Sequence, residues 1–154
     1  MGVIIKQPAA ILEEEMIQIV NLINQGSQVQ GNSRELRNRI NNSAFVSFII
    51  EDGKIISMAA LKNPADSYKR KVFEAAQFLS NLHEYKYELG YIVTAENRQG
   101  EKLCQKLLSE FIPLIANYKM FATTRKESMV HILGKFGFLP VGVQYNTDLS
   151  LLVN

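Results

Sequence analysis

The sequence predicts an α/β fold of the α+β kind, in which a central mixed β-sheet carries helices on both faces. Residues 44–51 and 54–61 are rich in β-forming side chains and flank the two-residue turn Asp52-Gly53, a pattern typical of an antiparallel hairpin. In the second half of the chain, strand-like and helix-like segments alternate, and strands joined through helices pair in parallel. A sheet that combines both kinds of pairing needs helices to cover its faces.

The first elements follow from local helix and turn signals. A short strand over residues 3–6 ends before Pro8, and apolar residues recur at helical spacing from Ala9 onward. Glutamates at 13–15 occupy the first turns of this helix, where the helix dipole favours anions. Gly26 is predicted to end the helix.

The later elements have similar start and stop signals. Asn32 and Glu35 form a capping-box pattern at the start of a second helix. Asp66 is predicted to cap a third helix that reaches Leu79, and Gly137 is predicted to close the last helix. The remaining predicted elements are a strand at 87–94, a helix over 103–115, a strand at 120–124, a helix at 128–136 and strands at 138–144 and 149–153.

Composition indicates one domain spanning residues 1–154, because the linker-like stretch 25–32 is too short to separate two domains. A formal net charge of +2 gives no electrostatic footprint for nucleic acid or for an anionic membrane. Cys104 is the only cysteine and there are two histidines, so we expect neither a disulfide nor a metal site. No secretory signal or membrane span is recognisable in the sequence, which favours a cytoplasmic protein.

The segment with the clearest chemical meaning is strand 87–94, followed by the polar turn 95–101 and a helix. Unpaired backbone N–H groups converge at such a helix N-terminus with the positive end of the helix dipole, which suits a phosphate-bearing ligand. The alternative is that this unit is purely structural, because most strand–turn–helix units bind nothing.

The wider pattern favours the binding interpretation. From Tyr87 the chain reads YELGYIVTAENRQGEKLCQKLL, and from Glu127 it reads ESMVHILGKFGFLPVG. These stretches resemble the GNAT superfamily of acyl-CoA N-acyltransferases, whose pattern is an acidic strand, the turn (Gln/Arg)-x-x-Gly-x-(Gly/Ala), a strand, and a helix ending in Gly-Phe. The resemblance covers residues 45–143 in element order and 87–142 in residue detail.

The resemblance implies acetyl-CoA as cosubstrate, with no metal, bound where the sheet splays between strands 87–94 and 120–124. Backbone groups of Ile92, Val93 and Thr94 would pair with the pantetheine arm, as a peptide adds to a sheet edge. The turn after them would take the pyrophosphate.

Two registers of that turn are open. Alignment by the apolar residues of the helix puts Gln99 at the Gln/Arg position, and alignment by distance from Val93 puts Arg98 there instead. In the first register Lys102 stands where the family's central glycine is usual. In the same register Gly100, Glu101 and Leu103 occupy the variable positions of the turn, and Cys104 occupies the Gly/Ala position.

The implied reaction is attack of a neutral amine on a thioester, which needs a proton acceptor, donors for the oxyanion and a proton for the thiolate. Glu88 matches the strand position of the family's general base, a role that requires burial to make a carboxylate basic enough. The alternative is a strand carboxylate that faces solvent or pairs with Lys86. The family's late-helix tyrosine, its usual general acid, is replaced by Leu133, so that Tyr91, Tyr145 or water would have to substitute.

The favoured function is therefore an N-acetyltransferase that transfers an acetyl group to a primary amine of a small molecule or peptide by direct attack in a ternary complex. The alternative is a catalytically impaired GNAT-fold protein that acts as an acyl-CoA-binding or protein-interaction module. A third reading, an unrelated α/β domain with the same element order, is disfavoured by the agreement at both ends of the segment. The C-terminal strands allow a homodimer by edge addition.

Overall fold

The computed structural model describes residues 2–26 and 31–154, so the middle of the linker-like stretch 25–32 lies outside the described residues. The described residues form seven strands and five α-helices. In chain order these are β1 (Val3–Lys6), α1 (Glu13–Gly26), α2 (Ser33–Asn41), β2 (Phe45–Glu51), β3 (Lys54–Lys62), α3 (Asp66–Ala75), β4 (Tyr87–Thr94), α4 (Leu103–Leu114), β5 (Met120–Thr124), α5 (Glu127–Gly134), β6 (Leu139–Tyr145) and β7 (Leu149–Val153).

The strands form one mixed sheet in the order β1-β2-β3-β4-β5-β7-β6. The pairs β1–β2, β2–β3, β5–β7 and β6–β7 are antiparallel, and β4–β5 is parallel. The register of β4 with β5 covers two pairs, Tyr87 with Met120 and Glu88 with Phe121. The predicted fold class is confirmed.

The chain packs as two compact units. One comprises the residues up to Lys62 together with Gly90–Ile115, and the other comprises Asn63–Leu89 together with Ala116–Asn154. Strand β4 contributes its last five residues to the first unit and its first three to the second. No helix within the described residues is both long and apolar enough to cross a bilayer.

The first unit has a sheet with helices on both faces. Apolar residues of α1 and α2 form one buried cluster with Val46 and Phe48 of β2. Because side chains alternate between the two faces of a strand, the buried Ser47 and Ile49 point the other way. Helix α4 contacts β1, β2 and β3 and covers that second face.

The second unit has a core built on Phe73 of α3. Its ring packs edge-on against Phe121 of β5 with the centroids 5.2 Å apart, in one buried cluster with Leu151 and Val153 of β7. Strand β6 closes onto the end of α3 at Gly142, where the backbone has a φ of +66°. Such a φ favours glycine.

Helix α1 begins at Glu13, later than the predicted Ala9. Residues Pro8–Ala10 form a separate 3-10 turn, and the α-helix is started by Glu15, whose Oε1 accepts from the backbone N–H of Leu12 at 2.9 Å. The same oxygen accepts from Lys6 Nζ at 2.8 Å. The prediction of Ala9 was wrong because it followed apolar periodicity, which continues through the 3-10 turn.

Helix α3 differs from prediction at both ends. Asp66 is its first residue and makes no side-chain cap, because the capping position is Ala65. At the other end Gln77 adopts a φ of +58°, and the N–H of Phe78 reaches back to the carbonyl of Phe73 at 2.8 Å. This geometry terminates a helix, so Leu79 falls into a following 3-10 segment and is 43% exposed.

Helix α5, like α3, is followed by a residue in the left-handed conformation. It covers Glu127–Gly134, shorter than the predicted 128–136 at its C-terminal side. Gly137 has a φ of +93°, and the N–H of Phe138 bonds to the carbonyl of Leu133 at 3.1 Å. Gly137 therefore closes the helix as predicted, through the turn that follows the last helical residue.

Candidate functional site

Glu88 lies in β4 and is 3% exposed. Its Oε2 accepts a hydrogen bond of 2.9 Å from the hydroxyl of Tyr68, on α3. The alternative of a solvent-facing strand carboxylate is therefore wrong. Lys86, the other proposed neighbour, has its ammonium 5.6 Å from the centroid of the Tyr87 ring.

Tyr68 is held as a neutral phenol. Burial raises the pKa of its hydroxyl above the usual value near 10, and the charge of Glu88 together with the hydrogen bond to it raises that pKa further. A side-chain hydrogen bond from Thr123 of β5 acts in the opposite direction on the Tyr68 pKa, as a hydroxyl donating to the phenol oxygen does. The Tyr68 hydroxyl thus links Thr123 to Glu88.

Tyr145, at the end of β6, completes this group of residues. Its hydroxyl is buried and has no hydrogen-bond partner among the described residues. Burial raises the pKa of Tyr145 to about 12, the charge of Glu88 contributes to the rise, and Arg125 opposes it. Tyr68, Glu88, Thr123 and Tyr145 are referred to below as the Glu88 cluster, and all four belong to the second unit.

The Glu88 cluster joins a buried carboxylate to two phenols that keep their protons at neutral pH. A carboxylate shielded from bulk water is a proton acceptor of the kind that general-base catalysis requires. Leu133, at the position of the family's tyrosine, is 1% exposed and packs in the interior. A proton donor from this part of α5 is therefore absent within the described residues.

The second half of β4 has an unusual backbone. Tyr91 is a non-glycine residue with a φ of +50° in the middle of the strand, a conformation that is strained for a bulky side chain. The ammonium of Lys62 lies 4.4 Å from the centroid of its ring. A Cβ at Gly90 would lie 2.7 Å from Cδ of Lys62, so a side chain at this position would displace the lysine side chain.

The end of β4 is tied to β3. The N–H of Ala95 donates to the carbonyl of Ile56 at 2.8 Å, and the hydroxyls of Ser57 and Thr94 are 3.0 Å apart. Val93 is buried in the cluster formed with α1, whereas Ile92 and Thr94 are half-buried. These are the residues expected to face the pantetheine arm.

The polar turn after β4 is anchored by Arg98. Its guanidinium forms an ion pair with Glu51 of β2 and bonds to Glu101 at 2.7 and 2.9 Å. Both carboxylates raise the pKa of Arg98, and Arg98 lowers the pKa of Glu101. Gln99 is directed elsewhere, with its Nε2 3.4 Å from the carbonyl of Thr94.

Helix α4 begins immediately after a left-handed residue. Lys102 occupies the capping position with a φ of +60° and has no side-chain cap, and this is a conformation that favours glycine. Leu103 and Cys104 are the first two helical residues. They stand at the N-terminal end of the helix, where the positive end of the helix dipole favours an anion.

A cavity of about 290 Å³ lies beside this turn, where the end of α1 meets it. It is lined by Leu22, Gln25, Gly26, Thr94, Glu96 and Gln99. The described residues contain no cluster of three or more histidine, cysteine, aspartate or glutamate side chains that could hold a metal ion.

The structure brings the predicted site residues together in two groups. Ile92, Val93, Thr94 and the turn residues Arg98–Cys104 lie in the first unit, and Glu88 lies with the Glu88 cluster in the second. Sequence reasoning missed Tyr68, because no local motif relates it to a glutamate 20 residues later. To identify Tyr68 from the sequence would have required a prediction of which face of α3 lies over the start of β4.

No family model matches the chain, and neither does any curated protein. Solved structures do match it in fold. ElaA from Escherichia coli superposes with a TM-score of 0.71 at 11% identity, covering 100% of this chain and 99% of that one. A GNAT-family acetyltransferase from Streptococcus agalactiae gives a TM-score of 0.66 at 22% identity, with coverage of 99% and 94%.

N-acetylglutamate synthase from Neisseria gonorrhoeae, solved with coenzyme A and N-acetyl-glutamate, gives a TM-score of 0.64 at 18% identity. The superposition covers 100% of this chain and 35% of the synthase chain. At these identities the comparisons show the fold alone, and the resemblance seen in the sequence is confirmed at the level of the GNAT fold.

Proposed function

We propose that the chain is an acetyl-CoA-dependent N-acetyltransferase that acts on a primary amine, with Glu88 as the general base. The observation that carries this proposal is the burial of Glu88 on β4, under the hydroxyl of Tyr68. A buried carboxylate requires a hydrogen-bonding partner, and a buried acid beside other titratable groups is a feature that active sites often share. The shared fold supplies the reaction class.

The reaction proceeds in a ternary complex. Glu88 takes the proton from the amine, whose nitrogen attacks the thioester carbonyl; a C–N bond forms and the C–S bond breaks. The thiolate of coenzyme A is a good leaving group and takes up a proton from water or from a phenol. Tyr145 is our candidate for that phenol, because its hydroxyl is protonated at neutral pH and the charge of Glu88 acts on it.

The cofactor is assigned to the first unit. Backbone groups of Ile92–Thr94 are proposed to pair with the pantetheine arm, and the turn from Gln99 to Cys104 is proposed to take the pyrophosphate. The left-handed conformation of Lys102 supports the register that starts at Gln99. So does the engagement of Arg98 by Glu51 and Glu101.

The acceptor is proposed to be the amine of a small molecule or of a peptide. The cavity beside the turn is lined by amides and one carboxylate of Glu96, which gives no preference between these classes. A lone cysteine fits the reducing conditions of the cytoplasm, where we place the reaction.

Two measurements test the proposal. Acetyl-CoA should raise the melting temperature, and a panel of primary amines should cause release of free thiol from acetyl-CoA. Glu88→Gln should reduce thiol release about 100-fold or more and leave the thermal shift intact, because an amide oxygen can still accept from Tyr68. Glu110→Gln, on the exposed face of α4, is the matched control.

The outcomes separate the alternatives. A thermal shift without thiol release for any amine would identify a binding module and refute the enzymatic proposal. The absence of a thermal shift would refute the cofactor assignment as well. Full activity in Glu88→Gln would remove Glu88 from the mechanism.

A further inference from the structure

The position of Tyr68 is unusual for a tyrosine that only packs. The residue is 40% exposed, and yet its hydroxyl donates to Glu88, which is 3% exposed. A tyrosine at the surface can satisfy its hydroxyl with water. Tyr68 instead directs its hydroxyl to a buried carboxylate, which indicates that this hydrogen bond has a role of its own.

That hydroxyl lies in a directed chain of hydrogen bonds contributed by three elements. Thr123 of β5 bonds to Tyr68 of α3, and Tyr68 donates to Oε2 of Glu88 on β4 at 2.9 Å. A hydroxyl that accepts one hydrogen bond becomes a stronger donor in the next. The chain is therefore polarised toward the carboxylate.

We propose that Tyr68 is a positioning residue for Glu88, fixing the rotation of the carboxylate and favouring its ionised form through the hydrogen bond to Oε2, with Thr123 polarising the Tyr68 hydroxyl. The proposal rests on the proposed function for its catalytic meaning. A donor to the charged form of a carboxylate makes proton binding weaker. The Tyr68 hydroxyl is therefore placed to stabilise the carboxylate form of Glu88.

The two phenols beside Glu88 keep their protons in the pH range of the test. Tyr68 lies on α3 and Tyr145 on β6, and the charge of Glu88 acts on both. The pKa of Tyr145 is about 12, and burial also raises the pKa of Tyr68. Neither phenol therefore titrates between pH 5 and 9.

The test compares Tyr68→Phe, Thr123→Val and Tyr85→Phe. Tyr85 is a matched control, because its ring stacks on Phe73 with the centroids 6.0 Å apart and its hydroxyl is not part of the Glu88 cluster. In Tyr68→Phe we expect the acid limb of kcat/KM to move up by about one pH unit, since a hydrogen bond to a charged group is typically a tenfold effect or more. KM for acetyl-CoA should change less than about twofold.

Thr123→Val should move the acid limb of kcat/KM in the same direction by a smaller amount. This variant tests the proposal if Tyr68→Phe does not fold. Tyr85→Phe should leave the limb in place. A lower melting temperature in Tyr68→Phe and Thr123→Val with an unmoved acid limb would overturn the proposal and leave Tyr68 a structural residue.

A second readout does not depend on turnover. With ¹³C-labelled glutamate, the Glu88 carboxyl resonance is identified as the one missing in Glu88→Gln and followed against pH. It should titrate at higher pH in Tyr68→Phe than in the wild type. If the wild type shows no turnover but the resonance moves, the proposed function fails and the positioning by Tyr68 stands; an unmoved resonance overturns the positioning.

Discussion

Arg98 forms an ion pair with Glu51, which lies 47 residues earlier at the end of β2, and the same guanidinium also binds Glu101. The arginine is therefore occupied by two carboxylates and anchors the turn that precedes α4. A guanidinium used in this way is a poor ligand for a further anion, because its charge is already compensated. This pairing favours Gln99 over Arg98 as the residue that meets the pyrophosphate.

Arg98→Gln should accordingly weaken acetyl-CoA binding only about two- to fivefold, through a less ordered turn. Because the two residues act as a pair, the double variant Arg98→Gln/Glu51→Gln should bind as Arg98→Gln does. Titration calorimetry measures both. A loss of 100-fold or more in the single variant would mean that Arg98 contacts the cofactor directly and that the other register is correct.

Two substitutions of Lys102, the capping residue of α4, separate the effect of its backbone strain on stability from the effect of its side-chain charge on binding. Lys102→Gly should raise the free energy of unfolding by about 1 kcal/mol, because glycine adopts a φ of +60° without the steric cost. Lys102→Ala keeps the strain and removes the ammonium, so any loss of acetyl-CoA affinity in this variant reports the charge. Urea unfolding and calorimetry check the two effects. A Lys102→Gly variant that is less stable than Lys102→Ala would contradict the left-handed conformation.

Tyr145→Phe should alter stability at alkaline pH. The pKa of Tyr145 is about 12 in the folded chain and near 10 in an unfolded one. The stabilisation from this group is complete below pH 10 and is lost as the pH rises through 12, because only the unfolded state releases the proton between these values. In Tyr145→Phe the decline in melting temperature from pH 10 to 12 should be shallower, and the raised pKa values of Tyr68 and Tyr85 contribute to the decline that remains.

At pH 7 the same variant should be as stable as the wild type or more stable by about 1 kcal/mol, since its buried hydroxyl has no partner among the described residues. Tyr91→Phe removes another such hydroxyl and should behave alike at this pH. A loss of more than about 2 kcal/mol in Tyr145→Phe would show that the hydroxyl is hydrogen-bonded in solution. Chemical denaturation provides the measurement.

Gly142→Ala should be severely destabilising. The residue has a φ of +66°, and an added Cβ would lie 1.9 Å from the backbone oxygen of Ala76, which also accepts the N–H of Val143 at 2.8 Å. Backbone on both sides leaves little room for adjustment, so we expect a loss of at least about 3 kcal/mol. Differential scanning calorimetry measures it.

Gly134→Ala is the matched control for that variant. A Cβ at Gly134, the last residue of α5, would meet no described atom within 4 Å. Alanine is the better helix former, so stability should rise by about 0.5–1 kcal/mol. Equal effects of the two substitutions would contradict the packing of β6 against the end of α3.

The sequence predicts the order of elements well because that order follows from local signals. Asp52-Gly53 and the flanking β-formers specify the hairpin β2–β3, and all of these residues lie within ten positions of the turn. The signals were weaker at helix ends. Ala9 fits a helical apolar pattern but lies in the 3-10 turn Pro8–Ala10. Leu79 also fits such a pattern, but the helix ends before it because Gln77 is left-handed. Periodicity reports which residues are apolar, and it does not report where the hydrogen-bonded helix stops.

For the site, the sequence by itself determined that Glu88 stands on a strand and that a glycine-poor turn leads from that strand into a helix. Tertiary packing alone decided that Glu88 is buried, that Tyr68 donates to it, and that the charge of Glu88 acts on Tyr145, whose hydroxyl has no partner in the part of the chain that the structure describes. The physical reason is distance along the chain. Local propensities act over a few residues, whereas these partners come from α3, β4 and β6 and meet only when the second unit packs its core.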